Sequence, residues 1–230
     1  MTFDEFDVLV RRRRATRHFK PQPLPDGLLP RLLECVSWAP SGYNLQPTRW
    51  RVVSESSEKE ALHAACMRQD QVLEAPATVV FAGDAQAHRG FQEVLRCQLD
   101  GGAINAAYAE KLTKLVPLAF ERGPLGVGWL WKATVLPIVR LFAPVPDLPA
   151  VRRREWLMRQ TMLSAMTFML AATAAGLHTC PMEGFDQRRV VRALRLPRSL
   201  LVTLVVPVGY SRDGDERSTR LPLESYNVNV

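Results

Sequence analysis

Long apolar runs are missing from this chain. Nothing in its 230 residues approaches the ~20 consecutive apolar positions that span a bilayer. Closely spaced cysteines are missing too: Cys35, Cys66, Cys97 and Cys180 are scattered with no CxxC pair. They read as free intracellular thiols, three of them expected on helical core faces. The opening Met1-Thr2-Phe3-Asp4-Glu5 is acidic and lacks an apolar core, so a signal peptide is not expected and a cytoplasmic location is. Neither GxSxG nor HExxH occurs, and His18, His63, His88 and His178 are isolated. No side chain is therefore expected to act as the catalyst, and no metal is expected. No zinc-finger or RNP-like motif and no second basic–aromatic stripe is present, which argues against a nucleic-acid partner.

What is present is a globular composition. The apolar fraction of 47% is too high for a disordered chain, and the length suits one domain with a full core. There is no internal repeat and no linker long enough to divide the chain, so residues 1–230 are read as a single domain. The net charge of +7, carried mostly by arginine, suits anionic ligands, phosphates above all, but also nucleic acid or acidic lipid.

Apolar spacing predicts a short helix over 3–12 and a second, capped by Asp26, ending near Trp38. A strand is expected at 48–54, a helix capped by Ser56 or Ser57 at about 58–67, and a buried strand at 78–82 entered from Ala75-Pro76. A long helical region covers about 88–119 with a break near Gly101-Gly102. Residues 123–149 are rich in Gly and Pro and irregular in composition. Residues 150–175 form a long Ala/Leu/Met-rich helix, apolar on most faces from Met162 and ended by Gly176, which predicts a central buried helix. A loop at 177–185, a helix at 186–194 capped by Asp186 and a buried strand at 201–208 complete the series, before a polar tail from Gly209.

Four stretches invite a functional reading. Ala39-Pro40-Ser41-Gly42-Tyr43-Asn44-Leu45-Gln46-Pro47 is either an ordinary helix-to-strand turn or a loop offering N–H and amide groups to something flat and polar. Arg11-Arg12-Arg13-Arg14, followed by Arg17, fits a solvated helix end, a nucleic-acid or membrane contact, or a pocket for one phosphate. Phe19 favours the pocket, because it suggests chain tucking into the core. Cys180-Pro181-Met182-Glu183-Gly184-Phe185 precedes a helix and can present unpaired N–H groups to an electron-rich atom; otherwise it is a connector with a solvated Glu183. Residues 128–142 are strongly apolar. They read as a buried or dimer-interface helix, as an apolar wall over a ligand, or, with Arg152-Arg153-Arg154, as a shallow membrane contact. Membrane contact is the reading not expected.

Taken in order, these stretches resemble the nitroreductase family of FMN-dependent oxidoreductases over nearly the whole chain. Arg13-Arg14-Ala15-Thr16-Arg17 resembles the family's basic motif for the FMN phosphate and ribityl chain, with Ala15 where the family has serine. Pro40, Ser41, Gly42 and Asn44 fall in its Ala-Pro-Ser-x-x-Asn-x-Gln-Pro loop, which in the family reaches the flavin of the partner subunit. Gln69 stands where a polar group often faces FMN. Pro181-Met182-Glu183-Gly184 resembles the loop whose backbone lies against flavin N5 and O4, and Arg220 resembles the late basic residue closing the phosphate site. The resemblance implies an α+β fold, a three-layer α/β/α sandwich around a mixed, mostly antiparallel sheet. It also implies an intertwined homodimer, with a variable lid at about 111–149 and a partner-embracing arm at about 209–230. It further implies FMN as cofactor and NAD(P)H as co-substrate. Hydride would reach flavin N5 and leave, by a ping-pong sequence, to a small-molecule electron acceptor such as a nitroarene or quinone. Relatives that fragment the flavin or remove halogens reductively, and a non-catalytic FMN-binding storage or sensor protein, are the alternatives.

Overall fold

Four strands make one sheet in the order β1-β2-β4-β3, where β1 is Thr48–Val53, β2 Ala77–Asp84, β3 His178–Thr179 and β4 Leu200–Gly209. The computed structural model from which this follows describes residues 1–121, 123, 127–213 and 219–226. Each neighbouring pair of strands is antiparallel. A parallel bridge from Ala15 to Thr179 adds the N-terminal segment beside β3 and makes the sheet mixed at that edge.

The two central strands read as continuous apolar runs because both faces of the sheet are covered. Ala77, Val79 and Phe81 of β2 pack with α2 (Leu28–Ser37) and α8 (Arg153–Ala174). Val80 and Ala82 pack on the opposite face with α3 (Ser56–Ala65) and α9 (Gln187–Ala193), beside the short α4 (Gln71–Glu74). Phe81 meets Phe168 of α8 edge-on, with centroids 5.6 Å apart, an arrangement worth about 1 kcal/mol beyond the area buried. In β4 the alternation is broken once. Phe81 faces Leu204 and Ala82 faces Val202, so Thr203 is the extra residue of a bulge, and its hydroxyl donates to the Phe81 carbonyl at 3.2 Å. The bulge keeps Val202 in the same cluster as Val205.

A helical excursion leaves this three-layer frame between β2 and α8. It contains α5 (Phe91–Asp100), α6 (Ala106–Phe120) and α7 (Gly128–Val139). Leu95, Leu112, Val116 and Phe120 form a satellite core against Trp156 and Leu157 of α8.

Several expectations change. Asp26 is not a cap: Gly27 holds the N-cap position of α2 in a left-handed conformation, φ 71°, which a residue with a side chain rarely adopts. Neither Ser56 nor Ser57 caps α3, whose N-cap is Glu55. The helix read in 128–142 is present as the 12-residue α7, with Lys132 as its one buried residue. The long helix begins at Arg153, not Ala150, and its outer face leaves Leu163 and Met166 exposed in this chain. Cys66 and Cys180 are buried while Cys35 in α2 and Cys97 in α5 are exposed, so two thiols, not three, belong to the core, and of those two only Cys66 lies at a helix end. Arg217, Val228 and Val230 of the expected arm, with Pro124 and Gly126 of the expected lid, lie outside the described residues.

Candidate functional site

The basic segment is extended because α1 (Phe3–Arg12) stops before it. A capping box fixes the helix start: the Glu5 N–H donates to Thr2 Oγ1 at 3.3 Å, and the Thr2 N–H to Glu5 Oε2 at 2.7 Å. Arg13 then turns the chain out of the helix with φ −62° and ψ 125°. From there the segment joins the sheet edge. The Thr16 N–H donates to the Thr179 carbonyl at 3.0 Å, the Lys20 N–H to Tyr210 at 2.9 Å, and the Arg212 N–H to His18 at 3.0 Å. Phe19 is fully buried and packs over Gly209, where an added Cβ would lie 2.5 Å from Pro76 Cδ. The expected tuck into the core is real, and it makes Gly209 a requirement of close packing.

Three of the arginines share one place. The Arg13 guanidinium is held below its ordinary pKa, first by burial and then by the positive charges of Arg220 and Arg14. Residues 207 positions apart in sequence thus share one electropositive spot. Arg17 reaches towards the other end of the segment: burial pushes the Cys180 thiol up, and the Arg17 charge and a bond from Gln71 oppose the rise. Ala15 is exposed beside the arginines and offers no hydroxyl.

Residues 180–184 continue from β3 along β4. The Cys180 N–H donates to Pro207, and Met182 and Val205 exchange backbone bonds of 2.8 and 3.1 Å. Pairing stops there. Among the described residues the N–H groups of Glu183 and Gly184 find no acceptor, and both residues are exposed. The loop is held from outside by Gln69, whose Nε2 donates to the Gly184 carbonyl at 2.9 Å. Gln71 holds Gln69 in turn, Nε2 to Oε1 at 3.1 Å. Gln69 therefore spends one donor and one acceptor inside the chain, fixing the loop. Asp186 caps α9 as expected, accepting from the Arg189 N–H at 3.1 Å.

The Pro40–Pro47 loop is a tight, left-handed turn and not an ordinary one. Tyr43, Asn44 and Gln46 have φ of 57°, 52° and 45°. Residues other than glycine rarely adopt this region, and such strain gathers at functional sites. Four local bonds hold it: the Gln46 N–H to Ser41 Oγ at 2.9 Å, the Asn44 N–H to the Ser41 carbonyl at 2.9 Å, the Leu45 N–H to the Gly42 carbonyl at 3.2 Å, and Gln46 Nε2 to Asn44 Oδ1 at 3.4 Å. Gln160 of α8 adds a long-range bond, accepting from the Gly42 N–H at 2.7 Å. Trp156 sits so close that a Cβ on Gly42 would lie 3.3 Å from its Nε1.

The chain does not gather these pieces at one point. Arg13, Arg14, Arg17, Gln69, Pro181, Met182, Glu183, Gly184 and Arg220 belong to the β3 edge and what packs on it. Pro40, Ser41, Gly42 and Asn44 lead into β1 at the opposite edge. Three inter-strand steps separate the two edges, roughly 14 Å. Sequence reasoning missed Gln71, Glu74 and Gln160, which bond to Cys180, Phe19 and Gly42, far along the chain from them. Nothing local marks them.

The apolar α7 is not buried in this chain. Its Lys132 is, at 6% exposure, donating to the carbonyls of Leu118 and Glu121 at 2.6 and 2.8 Å at the end of α6. Trp131, Ile138 and Phe142 are exposed. Among the described residues no helix is long and apolar enough to cross a membrane.

Comparison with known proteins places this arrangement. A Thermus thermophilus protein named NADH dehydrogenase is 32% identical over 216 residues, which cover 93% of this chain and 90% of that protein. The crystal structure of Bacillus subtilis ydfN, described as a nitroreductase, is 26% identical and superposes with a TM-score of 0.78 over 100% of both chains. A structure from Exiguobacterium sibiricum, described as a nitroreductase in complex with FMN, shares the fold at 21% identity, with a TM-score of 0.73 over 99% of this chain and 98% of that one. The model of the Nitroreductase family matches residues 10–210. Both the sequence and the end-to-end fold match lead to one conclusion: the chain belongs to the nitroreductase family.

Proposed function

We propose that this chain is an FMN-dependent oxidoreductase that draws hydride from NAD(P)H and delivers it to electron-poor acceptors such as nitroaromatics or quinones. FMN, when bound, supplies the hydride-carrying ring, and the protein supplies position, dryness and charge. The residues fit that group. Arg13, Arg14, Arg17 and Arg220 would hold its phosphate, and the N–H groups of Glu183 and Gly184 would face the electron-rich edge of the ring and favour its negatively charged form. Pro181 and Met182 bring those N–H groups to the sheet edge, and Gln69 fixes their orientation.

The observation that carries the reading is the crowding of Arg13 by Arg14 and Arg220 on the strand-edge segment that Thr16 ties to Thr179. Guanidiniums crowded at one place repel one another, and a bound anion relaxes that repulsion. A phosphate does so with charge-assisted, forked bonds. The names of the relatives support the rest: one is named NADH dehydrogenase, and one was solved with FMN.

The loop of Pro40, Ser41, Gly42 and Asn44 would complete the site of a partner subunit. It stands at the opposite sheet edge from the arginines, already strained into shape. A homodimer with two shared sites follows from this reading.

Colour tests the proposal. The purified protein is expected to be yellow, to bleach with NAD(P)H under anaerobic conditions, and to recover colour when a nitroarene or quinone is added. A protein that stays yellow with NAD(P)H points to a binding role without turnover. One that remains colourless with added FMN overturns the reading.

A further inference from the structure

Glu74, the last residue of α4, touches both segments that lead to the arginines. Its Oε2 accepts the Phe19 N–H at 2.8 Å. Its Oε1 lies 3.7 Å from His18 Nδ1, and Oε2 lies 4.0 Å from Arg212 Nη2. Arg212 closes the arrangement by donating through Nη2 to the Phe19 carbonyl at 3.0 Å and through its backbone N–H to the His18 carbonyl at 3.0 Å. The carboxylate is largely shielded from solvent, which strengthens each of these contacts.

On one side of Glu74 the chain runs back through Arg17 to Arg13. On the other, Arg212 stands eight residues before Arg220 in the sequence. Arginines gathered for one phosphate repel each other, so the segments bearing them need an attachment that does not itself occupy those guanidiniums. A carboxylate paired directly with them would compete with the phosphate. Glu74 instead accepts a backbone bond from Phe19 and lies within 4.0 Å of His18 and Arg212, residues set apart in sequence from Arg13 and Arg220.

We propose that Glu74 is a positioning residue for the phosphate end of the site: it latches segment 13–20 to segment 210–212, so that Arg13, Arg14, Arg17 and Arg220 converge on the phosphate of FMN. The inference rests on the FMN reading above. Glu74 does not touch the flavin; it acts through the arginines.

Riboflavin, which has the ring and ribityl chain but no phosphate, separates this role from general support of the fold. Apoprotein with Glu74→Ala and with Glu74→Gln would be titrated with FMN and with riboflavin, following quenching of flavin fluorescence. Glu74→Ala is expected to lower FMN affinity by about tenfold or more, consistent with loss of charge-assisted bonds, and to change riboflavin affinity by less than about threefold. Glu74→Gln keeps an acceptor for the Phe19 N–H and is expected to fall between. Hydrogen exchange at residues 15–20 of the flavin-free protein is expected to quicken in Glu74→Ala. Unchanged FMN affinity, or equal losses for FMN and riboflavin, overturns the proposal. If Glu74→Ala does not fold, Arg212→Ala is held to the same FMN-over-riboflavin criterion. If the unmodified protein binds neither flavin, the FMN reading has failed, and unchanged exchange at 15–20 in Glu74→Ala would dismiss the latch as well.

Discussion

The Gln69 side chain donates to the Gly184 carbonyl at 2.9 Å, joining positions 115 residues apart. An added Cβ at position 184 would stand 2.9 Å from the same Nε2, closer than such contacts occur. Gly184→Ala is therefore expected to displace Gln69, let the loop turn, and loosen FMN by about tenfold, as loss of one or two oriented bonds would. Because Gln69→Ala removes the same bond, Gln69→Ala/Gly184→Ala should lose no more than the larger of the two single losses. Flavin retention measured across the four proteins gives the coupling, and simple additivity would exclude the proposed contact as its cause.

Arg17→Ala and Arg220→Ala are each expected to weaken FMN retention by about 10- to 100-fold, the range for a hydrogen bond to a charged group. The loss should be larger for FMN than for riboflavin. Equilibrium dialysis of the double variant decides the matter: a fully flavinylated protein, as tight as the original, would sink the phosphate assignment.

Native protein should present two fast-reacting thiols, Cys35 and Cys97, to a thiol reagent near pH 8, and all four after denaturation. Burial pushes the Cys66 thiol up to about 12, whereas an unfolded cysteine ionises near ~8.5. Above that lower value the unfolded chain binds fewer protons than the folded one, so stability contributed by the buried thiol is present below it and lost as the pH rises towards 12. Urea unfolding at pH 8 and pH 10 should show the fall, and Cys66→Ala should flatten it.

Lys132 ties α7 to the final turn of α6 through two carbonyls, a favourable place for a cation. Lys132→Met keeps the stem and removes both bonds. It is expected to destabilise this corner by about 2 kcal/mol and to expose the 128–142 segment to limited proteolysis while the sheet remains folded. Unchanged cleavage would show that the helix is held by other contacts.

Much of the frame was legible because it is local. The unbroken apolar run of β2, the Thr48–Val53 strand, the Gly101-Gly102 break and the Asp186 cap all announce themselves within a few residues. The fold came from resemblance, and the family match bears it out. Three kinds of feature stayed hidden. β3 is two residues long and owes its existence to Val208 and Gly209 of β4, not to any pattern of its own. The bulge at Thr203 depends on how β2 and β4 meet. Gln160, Gln71 and Glu74 act across 118, 109 and 55 residues, where no spacing rule reaches. α7 was legible as an apolar helix, but not its exposure in this chain.

The strained loop lies beside β1 and the arginines beside β3, and in the proposed dimer they would be two separately inheritable halves of a site. In the proposed dimer, a subunit damaged at Asn44 still lends its arginines, and one damaged at Arg13 and Arg220 still lends its loop. Each variant alone would have two broken sites, yet a mixed dimer would contain one with both halves intact. Co-expression of the two defective alleles should therefore restore flavin binding and turnover that neither shows alone. In a cell, one mutant allele would spoil its healthy copy only in part.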